Sequence, residues 1–402
     1  MADPRNVVLV TVDSLRADRC GHLGYDTSLT PTIDRLAEDG LQFDNAIAPA
    51  GSTRGSSTSF MTGGYPFSRP GADRRESIRR QVRARDTLAE RFKRMGYETA
   101  AFTANPWTSR SFGFDKGFDH FEDFMDETTS NRFRDGGDSD AGPLRETATR
   151  LADWWTGQEM FMSWESFYDD IDQWRQSAEE PYFLWVFLVD VHMPYIPPTE
   201  HLFLWPFTYG ANAWLFGGAD ERLSPLFRDR LLSAYDETVA YTDDFVATLV
   251  DDVGDDSVVC VHADHGELFG EEGRYGHGYL HESVVNVPLV VGNVPSERVE
   301  DPVSLTAIPD LLTGLAAGDR PTVERPYVTT RNNDGMRVAR GRDWRYQQTP
   351  DDESVAVRSD GQWQQQGEDH PLYEIGRTIV EREVATEDER RHIVSAVRDI
   401  DD

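Results

Sequence analysis

Four short stretches of this 402-residue chain are apolar almost throughout and do not alternate. They are Val7–Val12, Tyr182–Val189 ("YFLWVFLV"), Val258–Val261 and Val287–Val291. A strand with one wet face alternates apolar and polar residues, so a continuous run of this length reads as a strand covered on both faces. Between the runs lie segments of helical character. Thr30-Pro31 opens one that ends before Gly40, with Pro at the first helical position. Asp86–Met95 precedes Gly96 and a strand around Thr99–Thr103, and Arg228–Val253 carries Leu232, Val239, Phe245 and Leu249 at helical spacing. Buried strands alternating with helices predict an α/β fold: a mostly parallel central sheet with helices on both faces.

Two regions depart from this alternation. Glu127–Gly142 is polar and rich in Gly and Asp, which predicts a loop, whereas Trp154–Phe216 is crowded with aromatics. The aromatic segment reads as an insertion packed on the main domain, with a lid over a site as the alternative. Beyond about Gly318, "GMRVARGRDWRYQQ" predicts a hairpin, and Thr386-Glu387-Asp388-Glu389 has the form of a capping box opening a last helix. The expected division is a catalytic α/β domain over 1–317 and a small α+β subdomain over 318–402.

Net charge is −32, from 72 acidic against 40 basic residues, and Lys93 and Lys116 are the only lysines. An acidic surface built almost without lysine predicts solubility in concentrated salt, where self-repulsion is screened. The same charge argues against nucleic acid as a partner. No stretch reaches the 18 uncharged apolar residues of a membrane span, and the N-terminus lacks the pattern of a signal peptide. A cytoplasmic protein is expected, and the two cysteines, Cys20 and Cys260, build neither a disulfide framework nor a thiolate metal cluster.

The chemistry-bearing residues collect at strand ends. Asp13 stands where the first strand stops, at the carboxyl edge where open α/β sheets place ligands. The strand around Ser257–Val261 runs into "HADHGE", which puts Asp264 and His265 at a second carboxyl edge. If the two strands are neighbours, two carboxylates and an imidazole converge, a donor set suited to Mn²⁺, Mg²⁺ or Zn²⁺. The bland reading of a lone Asp at a strand end is a helix cap; adjacent Asp-His before a Gly makes the metal reading the stronger. In "NAIAPAGSTRGSSTSFMTGGYP", Asn45–Pro66, seven hydroxyls surround a single arginine. A helix starting near Gly55 would offer its N-terminus to an anion beside Ser52–Ser56. A hydroxyl there becomes a useful nucleophile once a metal or base lowers its pKa.

Several segments, in order along nearly the whole chain, resemble the sulfatases of the alkaline phosphatase superfamily. They are "NVVLVTVDSLRAD", "TPTIDRLAEDGLQFDNAIAP", "STRGSSTSFMTGGYP", "GYETAAFTANP" with "GFDKGFDHF", "FLWVFLVDVHMPYIPP", "ADHGELFGEEGRYGHGYLHESVVNVPLVV" and "PLYEI". The resemblance implies an alkaline-phosphatase-like three-layer α/β/α fold and a metal-dependent ester hydrolase. In that family the nucleophile is a cysteine, oxidised to formylglycine, nine residues before a Thr-Gly. Thr53 holds that place here, with Gly55 for the motif's proline and Ser57 for its arginine. A threonine cannot become formylglycine.

Ser14 likewise replaces an aspartate and His265 an asparagine of the family's calcium site. The implied metal set is Asp13, Thr53, Asp264 and His265, holding one or two divalent ions (Mn, Zn, Mg or Ca). That set resembles the superfamily's phospho- and phosphonoester enzymes and favours a phosphoester over a sulfate ester. By the same resemblance His192 contacts the transferred group or leaving oxygen, and His277 takes the place of a sulfate-contacting lysine. Both are candidate general acids. Arg54 and Asn105 are candidate substrate contacts. The expected substrate is a small-molecule, glycan or lipid ester. The alternatives are a transferase to an alcohol acceptor and a catalytically dead binding module.

Overall fold

The computed structural model describes residues 4–66, 74–124, 162–196, 208, 212, 224–332 and 334–401. The predicted loop over Glu127–Gly142 lies outside them, as does much of the aromatic segment. The aromatics of its described stretch 162–196 pack into the core: Trp164 on Tyr241 and Phe245, and Trp174 on Phe102 and Tyr182.

The apolar runs become the middle of an eight-stranded sheet, with one exception. The expected strand Val287–Val291 is split at Pro288: Val287 pairs in a separate three-stranded sheet and only Leu289–Gly292 joins the large one. Its order is Glu297–Val299, Leu41–Phe43, Leu289–Gly292, Val258–Ala263, Val7–Val12, Tyr182–Leu188, Glu98–Thr103 and His120–Glu122. Val7–Val12 is parallel to both neighbours, and every residue of the three central strands is buried. Only the strand Leu289–Gly292 runs antiparallel to the strands beside it.

Register fixes which side chains meet which layer, because successive strand residues face opposite ways. On one face Phe60 meets Trp185 edge-on and Phe92 stacks on Phe183, docking the helices Thr53–Thr62 and Leu88–Arg94. On the other face Phe102 and Tyr182 meet Trp174 of the helix Tyr168–Ser177. The long helix Pro225–Val253 caps a neighbour: both oxygens of the Asp243 carboxylate accept the Thr32 and Ile33 N–H groups of Pro31–Asp39. His262 is a buried core residue whose Nδ1 donates to the Ala263 carbonyl; its Nε2 accepts from Thr11, which accepts from the Trp185 indole. No described helix is long and apolar enough to cross a membrane.

The C-terminal part carries its own five-stranded antiparallel sheet, from Val328–Arg331 to Gln362–Gln366, and the predicted hairpin is Arg337–Arg340 with Trp344–Gln348. The last helix corrects the sequence reading. It starts at Pro371 and continues through Thr386 to Asp401, so the apparent capping box is helix interior. Thr386 donates its hydroxyl to the Arg382 carbonyl one turn back, which an N-cap residue does not do. Tyr373 and Val380 seat this helix on Ala339, Tyr346 and Val355. Fully buried Arg340 ties the sheet to the catalytic region, donating to Glu282 and, at 2.9 Å, to Asn45.

Glu353 anchors that helix. Its carboxylate accepts from Gln348, Tyr373 and Arg377 at 3.0–3.1 Å. These donors, Gln348 first, hold its pKa at about 2, below the usual carboxylate range. A depressed folded-state pKa adds stability above the unfolded value and loses it as pH falls through the folded one. Glu353→Gln should therefore reduce the stability difference between pH 6 and pH 3, measured by denaturant unfolding, with its cost largest at the higher pH.

Candidate active site

Val12 and Ala263 are register partners on adjacent parallel strands. The residues that follow, Asp13 and Asp264, therefore leave the sheet side by side at its carboxyl edge, as the sequence reading requires. Both carboxylates are fully buried, and with His265 they offer ligand atoms that all lie within 4.8 Å of one another. His265 Nε2 is 3.6 Å from an oxygen of each aspartate.

Neutral donors crowd round this charge. Ser14 donates its hydroxyl to Asp13 at 3.0 Å and its N–H to Asp264 at 3.3 Å, and Asp264 also accepts the His265 N–H at 2.8 Å. Ser14 makes both contacts from a left-handed backbone, φ 65°, strained for a residue with a side chain. Even so, Oδ2 of Asp264 is buried without a hydrogen-bond partner. Burial and then the Asp13 carboxylate push the Asp264 carboxyl well above its ordinary value. Two buried carboxylates with an unsatisfied oxygen fit a divalent cation, whose charge removes their repulsion.

The hydroxyl-rich stretch folds as the helix Thr53–Thr62, with Ser52 extended ahead of it and its side chain accepting no capping hydrogen bond. Thr58, Ser59 and Thr62 donate back to carbonyls one turn earlier, which lets hydroxyls line a buried helix. Gly55 is where the helix passes Ala50; a Cβ there would lie 2.5 Å from the Ala50 methyl. Thr53, the first helical residue, aims at the carboxylates: its Oγ1 lies 3.1 Å from His265 Nε2. His265 Nδ1 donates to the Gly266 carbonyl at 2.9 Å, which leaves Nε2 as an acceptor for the Thr53 hydroxyl or as a metal donor.

The other sequence candidates surround this centre. The His277 ring lies 4.5 Å from that of His265 and 5.2 Å from that of His192. His192 Nδ1 donates to the Met193 carbonyl at 2.6 Å, which directs Nε2 away from the backbone. Arg54 lies over the Trp107 ring at 4.6 Å. Asn105, expected to contact substrate, uses its amide between two elements of the site: Nδ2 donates to Asp13 at 2.6 Å, and Oδ1 accepts the Trp107 N–H at 2.8 Å.

Glu267 went unnoticed in the sequence. It is fully buried, and Oε1 lies 3.3 Å from Nδ1 of His277. Burial opposes a charge on either group, but their mutual attraction prevails: the glutamate is pulled down and the imidazole up. The signal was the acid two residues beyond His265 in "ADHGE". Trp107, whose ring supports Arg54, was equally unremarked, since a Trp after Asn-Pro has no distinctive pattern.

This arrangement has counterparts. Solved structures share the fold over most of their length. A protein of the alkaline phosphatase superfamily from Vibrio parahaemolyticus superposes with a TM-score of 0.63 at 16% identity, covering 97% of this chain and 88% of that one. Phosphonate monoester hydrolase of Agrobacterium radiobacter gives 0.63 at 15%, covering 88% and 89%. The fold is that of the alkaline phosphatase superfamily, a class of metal-dependent ester hydrolases. The Sulfatase family model matches residues 5–300, and the chain belongs to that family. A "Sulfatase" from Formosa agariphila is 22% identical, covering 83% of this chain and 74% of its own length.

The unsatisfied carboxylate makes a direct prediction. In chelator-treated protein, Asp264→Asn should be no less stable than wild type, because it removes a buried like-charge pair and keeps an oxygen for the Ser14 and His265 N–H groups. Added Mn²⁺ at about 100 times its Kd should stabilise wild type by about 2.7 kcal/mol and the variant by much less. Thermal melts with and without metal check both halves.

Proposed function

We propose that the protein cleaves a phosphoric or sulfuric ester, with the phosphoester favoured, through a covalent intermediate on Thr53. The observation that carries this reading is the placement of the Thr53 hydroxyl. It stands at an uncapped helix N-terminus, 3.1 Å from His265 Nε2 and beside two buried carboxylates.

A divalent cation bound by Asp13, Asp264 and His265, with Thr53, would lower the hydroxyl pKa and neutralise charge on the transferred group. Two carboxylates and one imidazole suit Mn, Zn or Mg, with Ca less favoured. Thr53 Oγ1 passes its proton to solvent water and attacks phosphorus or sulfur in line; the new Oγ1 bond forms as the bond to the leaving oxygen breaks. The N-terminus of the helix Thr53–Thr62 and the Arg54 guanidinium, braced on Trp107, meet the equatorial oxygens. His277, paired with Glu267, gives a proton to the leaving oxygen; His192 stands beside it in the same ring array. Water then attacks the threonine ester and frees Thr53. An alcohol taking the place of water would make the reaction a transfer.

Asn105 serves this reading as a positioning residue, holding Asp13 and the loop that carries Trp107. Residues 1–317 form the catalytic domain and the remainder an α+β subdomain. The acidic, lysine-poor surface marks adaptation to high salt, so the assay belongs in molar salt.

Thr53→Ala should lower metal-dependent turnover by at least about 10³-fold, measured on aryl phosphate monoester, phosphodiester, phosphonate and sulfate substrates. The preferred ester decides between phosphorus and sulfur. Activity that persists in Thr53→Ala removes the threonine from the mechanism. An added alcohol that increases release of the aryl product identifies transfer.

Glu267→Gln tests the acid. The native carboxylate raises the His277 pKa, so its loss should shift the alkaline limb of the rate profile to lower pH. An unmoved limb would assign the proton to another group.

A further inference from the structure

Two cavities meet along the helix that carries Thr53. The smaller, about 190 Å³, touches Ser52, Arg54 and Thr58 in the first half of that helix. The larger, about 1040 Å³, begins at its other end, at Thr62 and Gly63, and reaches the C-terminal helix at Arg382. Ser77, Gln81 and Arg331 line both, so one recess follows the helix from the residues flanking Thr53 to the C-terminal subdomain. Ten helical residues make that path about 15 Å long.

Its charge runs against that of the whole chain. Acidic residues outnumber basic ones 72 to 40 overall. In the larger cavity the described lining has five arginines, Arg80, Arg85, Arg325, Arg331 and Arg382, against two acids, Asp310 and Glu383. Asp310 already accepts from Arg91, outside the lining, at 2.6 Å. The arginines come from separate parts of the chain: the helix Arg74–Ala84 and the residue after it, the segment entering the C-terminal sheet, its first strand and the last helix. Chance runs of charge along one element do not produce this.

Some of these side chains are held in place by neutral groups. Arg85 donates to the Gly64 and Tyr65 carbonyls at 2.9 and 3.1 Å. Arg331 donates to the Pro66 carbonyl at 3.1 Å and lies over the Tyr65 ring. Burial, with the nearby Arg337 and Arg85, pulls the Arg331 guanidinium down to about 10 against the attraction of Glu383. A cation disfavoured in this way gains from an incoming anion. The Ser304 hydroxyl on the same wall supplies a further polar group for its oxygens.

We propose that this recess is a second anion-binding site, which takes a molecule carrying two or more phosphate or sulfate groups. One charged group would occupy the arginine-lined end and another the path toward Thr53. The same chemistry belongs to a distal part of the ester substrate and to a separate polyanion.

Inorganic tripolyphosphate is the probe. Arg80, Arg325 and Arg382 are exposed, and none takes part in the proposed chemistry at Thr53. Calorimetric titration at the lowest salt that keeps the protein folded should show tripolyphosphate binding to the metal-loaded wild type. The triple variant Arg80→Gln, Arg325→Gln, Arg382→Gln should bind at least about tenfold more weakly. Orthophosphate affinity and turnover of a simple aryl ester should not change. Arg382→Glu alone provides a second reading with minimal disturbance and should also weaken binding.

Inhibition of aryl ester turnover then separates the two sources. Competition indicates a polyanion that reaches the active site, as a distal part of a substrate would; non-competitive inhibition indicates a separate ligand. Equal tripolyphosphate binding by wild type and variants, or none by wild type, overturns the proposal. The binding arm is independent of turnover, so it stands or falls apart from the role of Thr53.

Discussion

Two carboxylates forced together in a dry place govern this structure. Asp13 and Asp264 are successors of register partners on neighbouring parallel strands, so backbone hydrogen bonding alone sets their proximity. Neither can turn to solvent, because the sheet edge is roofed by the helix Thr53–Thr62 and the loops around it. Like charges at this distance inside a protein raise each other's cost of ionisation, and neutral donors recover only part of it. Ser14 adopts a strained backbone to donate twice, Asn105 contributes its amide, and one oxygen of Asp264 still has no partner. A sheet that stores repulsion in this form suits a cation better than it suits its own stability.

The surroundings follow from that constraint. A buried helix that begins against two carboxylates presents the positive end of its dipole to them. Residues on it must be small or able to satisfy themselves, and the back-donating hydroxyls of Thr58, Ser59 and Thr62 meet that requirement. The crowding of hydroxyls around Arg54 thus has two explanations on one helix. Thr53 faces the charged centre, whereas Thr58, Ser59 and Thr62 satisfy their own hydroxyls along the buried helix. Composition cannot separate these roles, whereas position on the helix does.

The central architecture was legible because it rests on period and on chain order. A continuous apolar run has one economical use in a soluble α/β chain, and the strands that end in Asp13 and in Asp264-His265 lie together as expected. What was not legible depends on tertiary contact. Glu267 became meaningful only when the fold set its carboxylate 3.3 Å from Nδ1 of His277. Trp107 acquired a role only as the floor beneath Arg54. The final helix was misplaced because Thr386-Glu387-Asp388-Glu389 satisfies a local rule. Tertiary packing of Tyr373 and Val380 on the C-terminal sheet had already started the helix at Pro371.

Charge distribution carries the last step. In so acidic a chain, an arginine at the surface has many carboxylates available, and exposed pairs of this kind contribute little each. Arg80 does pair with Glu76 in this way, but arginines gathered from four separate segments around one recess are more than local pairing requires. Arg340 shows what a structural arginine looks like here: fully buried, between Glu282 and Asn45, joining two parts of the fold. Arg331 differs, since its described hydrogen bond goes to a carbonyl and its ring contact is to Tyr65, while burial lowers its pKa. The first joins two parts of the fold through an ion pair; the second stands in the wall of the recess, where an anion would offset the cost of its burial.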